Sequence, residues 1–459
     1  MNDLLSIGKK ALQVSLKNLD VTGQNIANIN TDGYSRQRVV QTAAEPSQNA
    51  LAFHGNGVNI QRIERVRDER LDTEFRKENS NYNYWKKMSD ELSQLEMDLQ
   101  EPSDYGLSAN LNNFWDKWDE LANLPHSEIS RESLKAAAEM LINSFHNLDT
   151  HMVDRKKNLN TELENIAEDI NSISKQLADL NRRIVPAEAA GKQPNDLLDK
   201  FDKLIDDLSQ YGETRVKTRK DGKRIVYFGT DEIVDSSNAR EVAVKLKGLP
   251  NERTKQLVWK EGFDQVNTIT KGEVAAIVNL RDNVISGYED KLDRLAASLA
   301  EKINSIHREG YNLSDNPTSG HNFFDEDTTG AGNIELSSEI KLSVDNIAAS
   351  LEGEEGDNRI ALQISKLRDA DTIDEKMSFG DYYGAFLTNV GNDAHNSYNR
   401  SEALKNSSQQ IDEFRQNVKG VSIDEESANL LKYQQAYMAA AKVMTVADKA
   451  LATVINLIN

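Results

Sequence analysis

The chain has 459 residues, which at about 150 residues per domain leaves room for roughly three structural units. Asp and Glu outnumber Lys and Arg by 75 to 55, a formal net charge of −20, so a phosphate backbone or an anionic lipid surface is repelled overall, and neither nucleic acid nor membrane is an expected partner. Zero Cys excludes disulfides, thiolate metal sites and a Cys nucleophile, a mean hydropathy of −0.64 without long apolar runs excludes a spanning helix, and only 7 Pro favour long uninterrupted helices.

Met1 to Lys10 has no basic stretch leading into an apolar one, so no ordinary signal peptide is expected and any export needs another route. Leu5, Leu12, Leu19 and Ile26 recur every seven residues and predict one amphipathic helix over about 4–28. Gly8, Ser15 and Thr22 run beside that stripe, small enough to let another helix come close. The helix stops in an Asn-rich stretch, followed by a turn at Gly33 and an extended exit. Trp85, Met88, Leu92, Leu95 and Leu99 predict a short helix. Leu163, Ile166, Ile170, Ile173, Leu177, Leu180 and Ile184 predict a longer one that begins before 145 and ends at Val185-Pro186, where the ring forbids continuation. Asn195 is placed as the cap of a helix through Tyr211, with Leu198, Phe201, Leu204, Ile205 and Leu208 inward.

The period then changes. Residues 215–220 and 224–228 flank Asp221-Gly222, a dipeptide suited to a two-residue hairpin turn, and Val242, Val244 and Leu246 alternate before Pro250-Asn251 turns the chain into Leu257, Val258 and Trp259. Residues 212–271 therefore read as a small antiparallel β insert. Helical spacing returns from Gly272 through Val284, Tyr288, Leu292, Leu295, Leu299 and Ile303 to near Gly310, and 311–335 and 352–358 read as loops. Leu430, Tyr437, Met444, Leu451 and Ile458 fall at intervals of seven, with Tyr433, Ala440, Ala447 and Val454 between them, so the C-terminus is a second coiled-coil-like helix. The fold class is mainly α: long terminal helices, a helical bundle, and the β insert.

Catalytic patterns are missing. The seven His show no i, i+4 pair with the Glu of a zinc protease, and there is no Walker loop, dinucleotide fingerprint or G-x-S-x-G elbow. Asp325, Asp327 and Gly330 match part of a calcium loop, but Thr329 and Leu336 stand where ligands are needed. Neither catalytic residues, nor a metal, nor a cofactor is expected.

The stretch NIANINTDGYSR from Asn25 to Arg36 resembles the N-terminal signature of the bacterial flagellar axial proteins of rod, hook and hook-associated type, with Gln24 and Asp32 replacing the usual Asn and Pro. Gly55-Asn56-Gly57-Val58 and, in collinear order, Pro194-Asn195-Asp196, Leu280-Arg281-Asp282, Asn304, His307, Gly356-Asp357-Asn358 and the stretch from Gly420 to Asp448 continue the resemblance, on its hook–filament junction side. The resemblance implies a structural protein that joins hook to filament, exported uncleaved through the flagellar type III apparatus to the extracellular flagellum. It implies assembly through Leu5, Leu12, Leu19, Ile26, Asn28, Asn30, Thr31, Gly33 and Tyr34 with Leu430, Tyr433, Tyr437, Ala440, Met444, Ala447, Leu451, Val454 and Ile458. The implied partners are further copies of the chain in a ring, hook protein, a second junction protein, and an export chaperone on the C-terminal helix. The expected units are 1–55 with 424–459, 56–211 with 272–423, and 212–271. Relatives often carry a β-rich outer domain after the Phe323-Phe324 region, where this chain has a short loop. Another flagellar axial part, hook protein or the second junction protein, is the alternative, and a cytosolic coiled-coil adaptor is a weaker one. Each terminal helix is expected to lack a partner in a single chain.

Overall fold

Long helices dominate, as the scarcity of Pro predicts. The computed structural model describes residues 2–45, 47–49, 52–99, 101–247, 254–262, 264–266, 269–314, 317–354, 356–373 and 376–458. Helix α1 (Asn2–Ala27) leads through the Asn-rich loop into β1 (Gln37–Ala43), a small hairpin of β2 (Ser47–Asn49) and β3 (Ala52–His54), and β4 (Val58–Arg65), which returns antiparallel to β1 with Gln37 opposite Arg65. This ribbon crosses residue 55, the expected unit boundary.

Next comes α2 (Glu69–Asp98), started by the Asp68 side chain accepting from the Arg70 and Leu71 amides. It is twice the expected length, because its first turns bury Asp72, Arg76 and Ser80 instead of apolar residues. Helix α3 (Leu107–Asn123) carries Leu107, Leu111, Phe114, Trp115, Trp118 and Leu121 on one buried face, a spacing the sequence reading passed over. Helix α4 (Glu128–Ala189) has 62 residues and so spans about 93 Å. It runs through Pro186 instead of stopping there. The missing N–H falls in the last turn, where little helix remains to be lost, and the helix ends beyond it at Gly191, with φ of 72°. In α5 (Asn195–Tyr211), Pro194 occupies the cap position and Asn195 is the first helical residue. The Asn195 amide is turned to Gln37 and the Ile63 carbonyl instead of capping.

The β insert forms as expected. Strands β5 (Thr214–Thr218), β6 (Arg224–Phe228), β7 (Asp231–Asp235) and β8 (Asn238–Ala239) make one antiparallel sheet in that order, and β9 (Val242–Lys247) pairs with β10 (Thr254–Trp259). The β5–β6 connection has a three-residue loop rather than two: the Gly222 amide closes a turn on the Arg219 carbonyl, and Gly222 supplies φ of 81°. The turn placed at Pro250-Asn251 lies outside the described residues.

Helix α6 (Gly272–Asn279) continues through a wider π turn (Leu280–Ile285) into α7 (Ser286–His307). Short helices α8 (Ser338–Leu342) and α9 (Arg359–Ser365) lead to α10 (Phe379–Lys419) and, across Gly420-Val421-Ser422, to α11 (Ile423–Ile458). Helix α10 lies antiparallel along α2, with Arg415 on Asp72 and Arg400 over Trp85.

The core is one continuous apolar cluster with a knot of aromatic rings, Phe114, Trp115, Trp118, Phe323, Phe324 and Phe379, at the α3 end. The Asn304 side chain accepts from the Phe323 and Phe324 amides and donates to the Phe324 carbonyl, so the two rings are fixed in place. Beside them His307 is fully buried, with Nδ1 on the His321 carbonyl and Nε2 accepting from the Ala348 amide. Burial holds this imidazole down at about 4. An unfolded His takes a proton below about pH 6.5 and the folded one only below about 4, so this contribution is whole above pH 6.5 and falls by up to about 3 kcal/mol on acidification to pH 4. Urea midpoints should drop across that window, and His307→Gln, which has no such proton to accept, should flatten the drop. Identical profiles for both proteins would refute the assignment.

Candidate functional site

The two ends of the chain meet. Gly8 faces Met444, whose sulfur would lie 2.9 Å from an added Cβ, and Asn25 reaches Glu426, so α1 and α11 run antiparallel. This corrects the expectation that each terminal stripe lacks a partner in a single chain. The buried seam of α1 is Gly8, Val14, Ser15, Asn18, Val21, Thr22 and Asn25, and that of α11 is Glu426, Ala440 and Ala447. Small residues bring the backbones close, as their position beside the stripe suggests. The larger Leu5, Leu12, Leu19 and Ile26 sit half-buried at the edges, as do Tyr433, Met444 and Leu451 on the other helix.

That geometry leaves apolar surface uncovered. Leu430, Tyr437 and Val454 are 37%, 39% and 37% exposed, and Leu431, Met438, Val446 and Ile455 more so. The Ile458 side chain lies outside the described residues. Such a density of large exposed apolar side chains is unusual on a folded surface.

The signature loop ties this pair to the body. Asn25 is its hub: Oδ1 accepts from the Tyr34 hydroxyl at 2.8 Å and the Gln37 amide at 3.0 Å, while Nδ2 donates to the Gln37 carbonyl and to Glu426. Burial, with Asp199, Asp196 and Glu426 nearby, pushes the Tyr34 hydroxyl up to about 12, so it remains a donor at neutral pH. The Asn28 side chain bonds the Gln24 carbonyl and the Thr31 hydroxyl, closing the helix end, and Gly33 supplies φ of 80°. Asn30 and Thr31 are exposed. Beyond the turn, the Ser35 amide bonds Asp199, Asp32 pairs with Lys203, and Arg36 reaches both the Lys419 carbonyl and Glu425. Residues 31–34 line a cleft of about 750 Å³ together with α4 and α5. Asn25→Ala strands the buried Gln37 amide and the Tyr34 hydroxyl, a loss of about 3 kcal/mol. Hydrogen exchange should show α1 opening more readily while the α3 amides keep their protection. Unchanged exchange in α1 would refute the hub.

Under the loop lies an arginine–aspartate lattice that the sequence reading missed. Arg65 bonds Asp199 and Asp202, Arg67 bonds Asp72 and Asp202, Arg76 bonds Asp202 and Asp206, and Arg415 bonds Asp72 at 2.9 Å and Asp206 at 2.6 Å. Burial pushes the Asp202 carboxyl up, but Arg67, Arg65 and Arg76 outweigh it and hold the group below its ordinary value. The lattice joins β4, α2, α5 and α10 at the root of the terminal pair. Among the described residues no group of three His, Cys, Asp or Glu could hold a metal ion, and no helix is long and apolar enough to cross a membrane.

Comparison with known proteins agrees with this geometry at each level. Residues 5–34 match the family described as flagella basal body rod protein, and residues 417–457 match the C-terminal family of the flagellar basal body rod proteins FlgEFG. These matches fall on the two paired helices and define a flagellar axial structural protein. The middle of the chain, residues 92–324, matches the flagellar hook-associated protein FlgK helical domain. Flagellar hook-associated protein 1 of Bacillus subtilis is 31% identical over 98% of this chain and 97% of its own length. The protein of the same description from Salmonella typhimurium is 22% identical with both chains fully covered, in an alignment of 555 residues that runs well beyond the 459 here. The flagellar hook junction protein FlgK from Burkholderia pseudomallei shares the fold, with a TM-score of 0.67 over 76% of this chain and all of that one at 14% identity. The chain belongs to the flagellar hook-associated protein 1 family.

Proposed function

We propose that the protein joins the flagellar hook to its filament, assembling as a ring of copies outside the cell through the terminal helix pair. The observation that carries this is the row of large apolar side chains left exposed on α11 after it has paired with α1. Covering what is still exposed of each such residue adds roughly 0.5 to 1.5 kcal/mol, so the row acts as a contact only through several residues per subunit together. In this reading 1–55 with 424–459 form the axial unit, 56–211 with 272–423 the bundle, and 212–271 a small outer lobe. The partners are hook protein on one side and a second junction protein on the other. Cells lacking the protein should complete hooks, bear no filaments and shed filament subunits into the medium; normal filaments would contradict the proposal.

Before export the same apolar surface invites premature association, so a cytosolic chaperone fits it. Removing residues 425–459 should abolish the chaperone complex in pull-downs. A complex that survives the deletion would place the chaperone site elsewhere.

A further inference from the structure

The β insert reverses the charge of the chain around it. Residues 212–271 hold 13 Lys and Arg against 9 Asp and Glu, inside a chain of net charge −20. Within residues 215–224 there are six cations and one acid, Asp221. Two are engaged within the fold: Arg224 on Glu188, and Arg215 over the Tyr227 ring at 4.8 Å. Arg219 and Lys223 make only exposed pairs, with Asp235 and Asp221 at 3.5 and 3.4 Å, which hold them weakly. Lys217 and Lys220 are exposed and pair with no carboxylate among the described residues. Strand β5 is the edge of its sheet, so these cations form a free rim.

An acidic counterpart lies across the molecule. The antiparallel register of α2 on α10 puts Glu74 and Glu413 at one level of the two helices, both exposed and without a cation partner among the described residues. Phe75, Ser408, Gln409, Asp412 and Glu413 line a groove at that level of about 450 Å³, in which Asp412 pairs with Arg415 at 3.2 Å and Glu413 is free of a cation among the described residues, and Phe414 beside it is 52% exposed. The same turns of α2 serve both faces. Thr73 and Arg76 look into the cleft under the β5–β6 hairpin together with Thr218 and Arg224, while Phe75 looks into the acidic groove. A basic rim and an acidic groove thus sit at one level on opposite sides of one helix. That is the arrangement a head-to-tail ring contact requires, since each copy must present complementary patches on two different sides.

We propose that the basic tip of the β5–β6 hairpin, Lys217, Arg219, Lys220 and Lys223, docks in the α2–α10 acidic groove of the adjacent copy. This rests on the ring reading above and adds the lateral surface to it. A second copy fits better than a phosphate polymer or a lipid headgroup, because the surrounding net charge of −20 repels both while supplying the groove.

Because the chain has no Cys, Lys220→Cys combined with Glu413→Cys reports the contact without background. In flagella isolated from cells making the double variant, a short thiol-to-thiol cross-linker should give a ladder of covalent multimers of this chain, absent from either single variant. Flagella that contain the double variant yet give no ladder would overturn the contact and leave the ring reading standing, whereas a chain absent from flagella altogether would remove both. As a second arm, Lys217→Glu with Lys220→Glu should lower the flagellum-bound protein at least ten-fold, and adding Glu74→Lys with Glu413→Lys should restore it. No loss, or loss without restoration, would overturn the proposal, and so would tip-dependent binding to anionic vesicles with no cross-link between copies.

Discussion

Leu430→Asp combined with Tyr437→Asp should abolish filament growth while leaving the isolated protein folded. Both residues are more than a third exposed beside the α1–α11 seam, so in the single chain their substitution changes stability by no more than about 0.5 kcal/mol each. In an assembly that covers them, each carboxylate loses its water without gaining a partner, which costs several kcal/mol or forces protonation. The defect recurs in every subunit, so assembly fails as a whole. The control Lys449→Asp changes an exposed position that belongs to none of the apolar rows and should be mild. Thermal unfolding of the purified protein and counts of filaments per cell separate the two effects. Normal filaments in the double variant would show that this face stays open in the assembled state, and a large drop in melting temperature would show that it belongs to the monomer.

Arg415→Met should be the most damaging single substitution in the body, lowering stability by about 3 to 5 kcal/mol. Its side chain is 2% exposed and lies over the Phe75 ring at 4.1 Å while bonding Asp72 and Asp206. Methionine keeps part of the packing but takes one of its two arginine partners from each carboxylate, leaving Asp72 only Arg67 and Asp206 only Arg76 and the lattice one negative charge in excess. Adding Asp206→Asn removes the excess negative charge and should recover part of the loss. Urea unfolding at pH 7 measures both. The single variant falling within 1 kcal/mol of the wild type would mean that the lattice is not what holds α10 to α2. The lattice also sets an acid limit. Since Asp202 is held below the ordinary carboxylate value, its contribution is complete above about pH 4 and is lost as the pH falls below that.

Apolar spacing revealed the helices that bury apolar stripes. Helix α5 and the core of α4 follow such stripes, and the change of period at Gly212 marks the β insert. Spacing failed where burial is polar. Helix α10 buries Ser397, Ser401, Ser408 and Arg415 along with its apolar residues, and the first turns of α2 bury Asp72 and Arg76, so neither segment shows a clean stripe. The seam of α1 follows the small residues that the sequence places beside the leucine stripe. Close approach is made by Gly8, Ser15 and Thr22, as their size allows, while Leu5, Leu12, Leu19 and Ile26 are left half-buried at the edge. The signature loop was legible only as a chain reversal and a resemblance. Its physical work, the Asn25 hub and its ties to Asp199 and Lys419, joins residues up to several hundred positions apart, which no local pattern encodes.

The proposed place of this chain, at the boundary of hook and filament, can be seen directly. Immunogold microscopy of isolated flagella with an antibody to the β5–β10 lobe, together with the mass of the labelled chain, tests it most directly. The expected result is a single band of label between hook and filament and a chain of uncleaved mass. Label confined to the cytosol, with none on flagella, would contradict it and favour an intracellular coiled-coil adaptor.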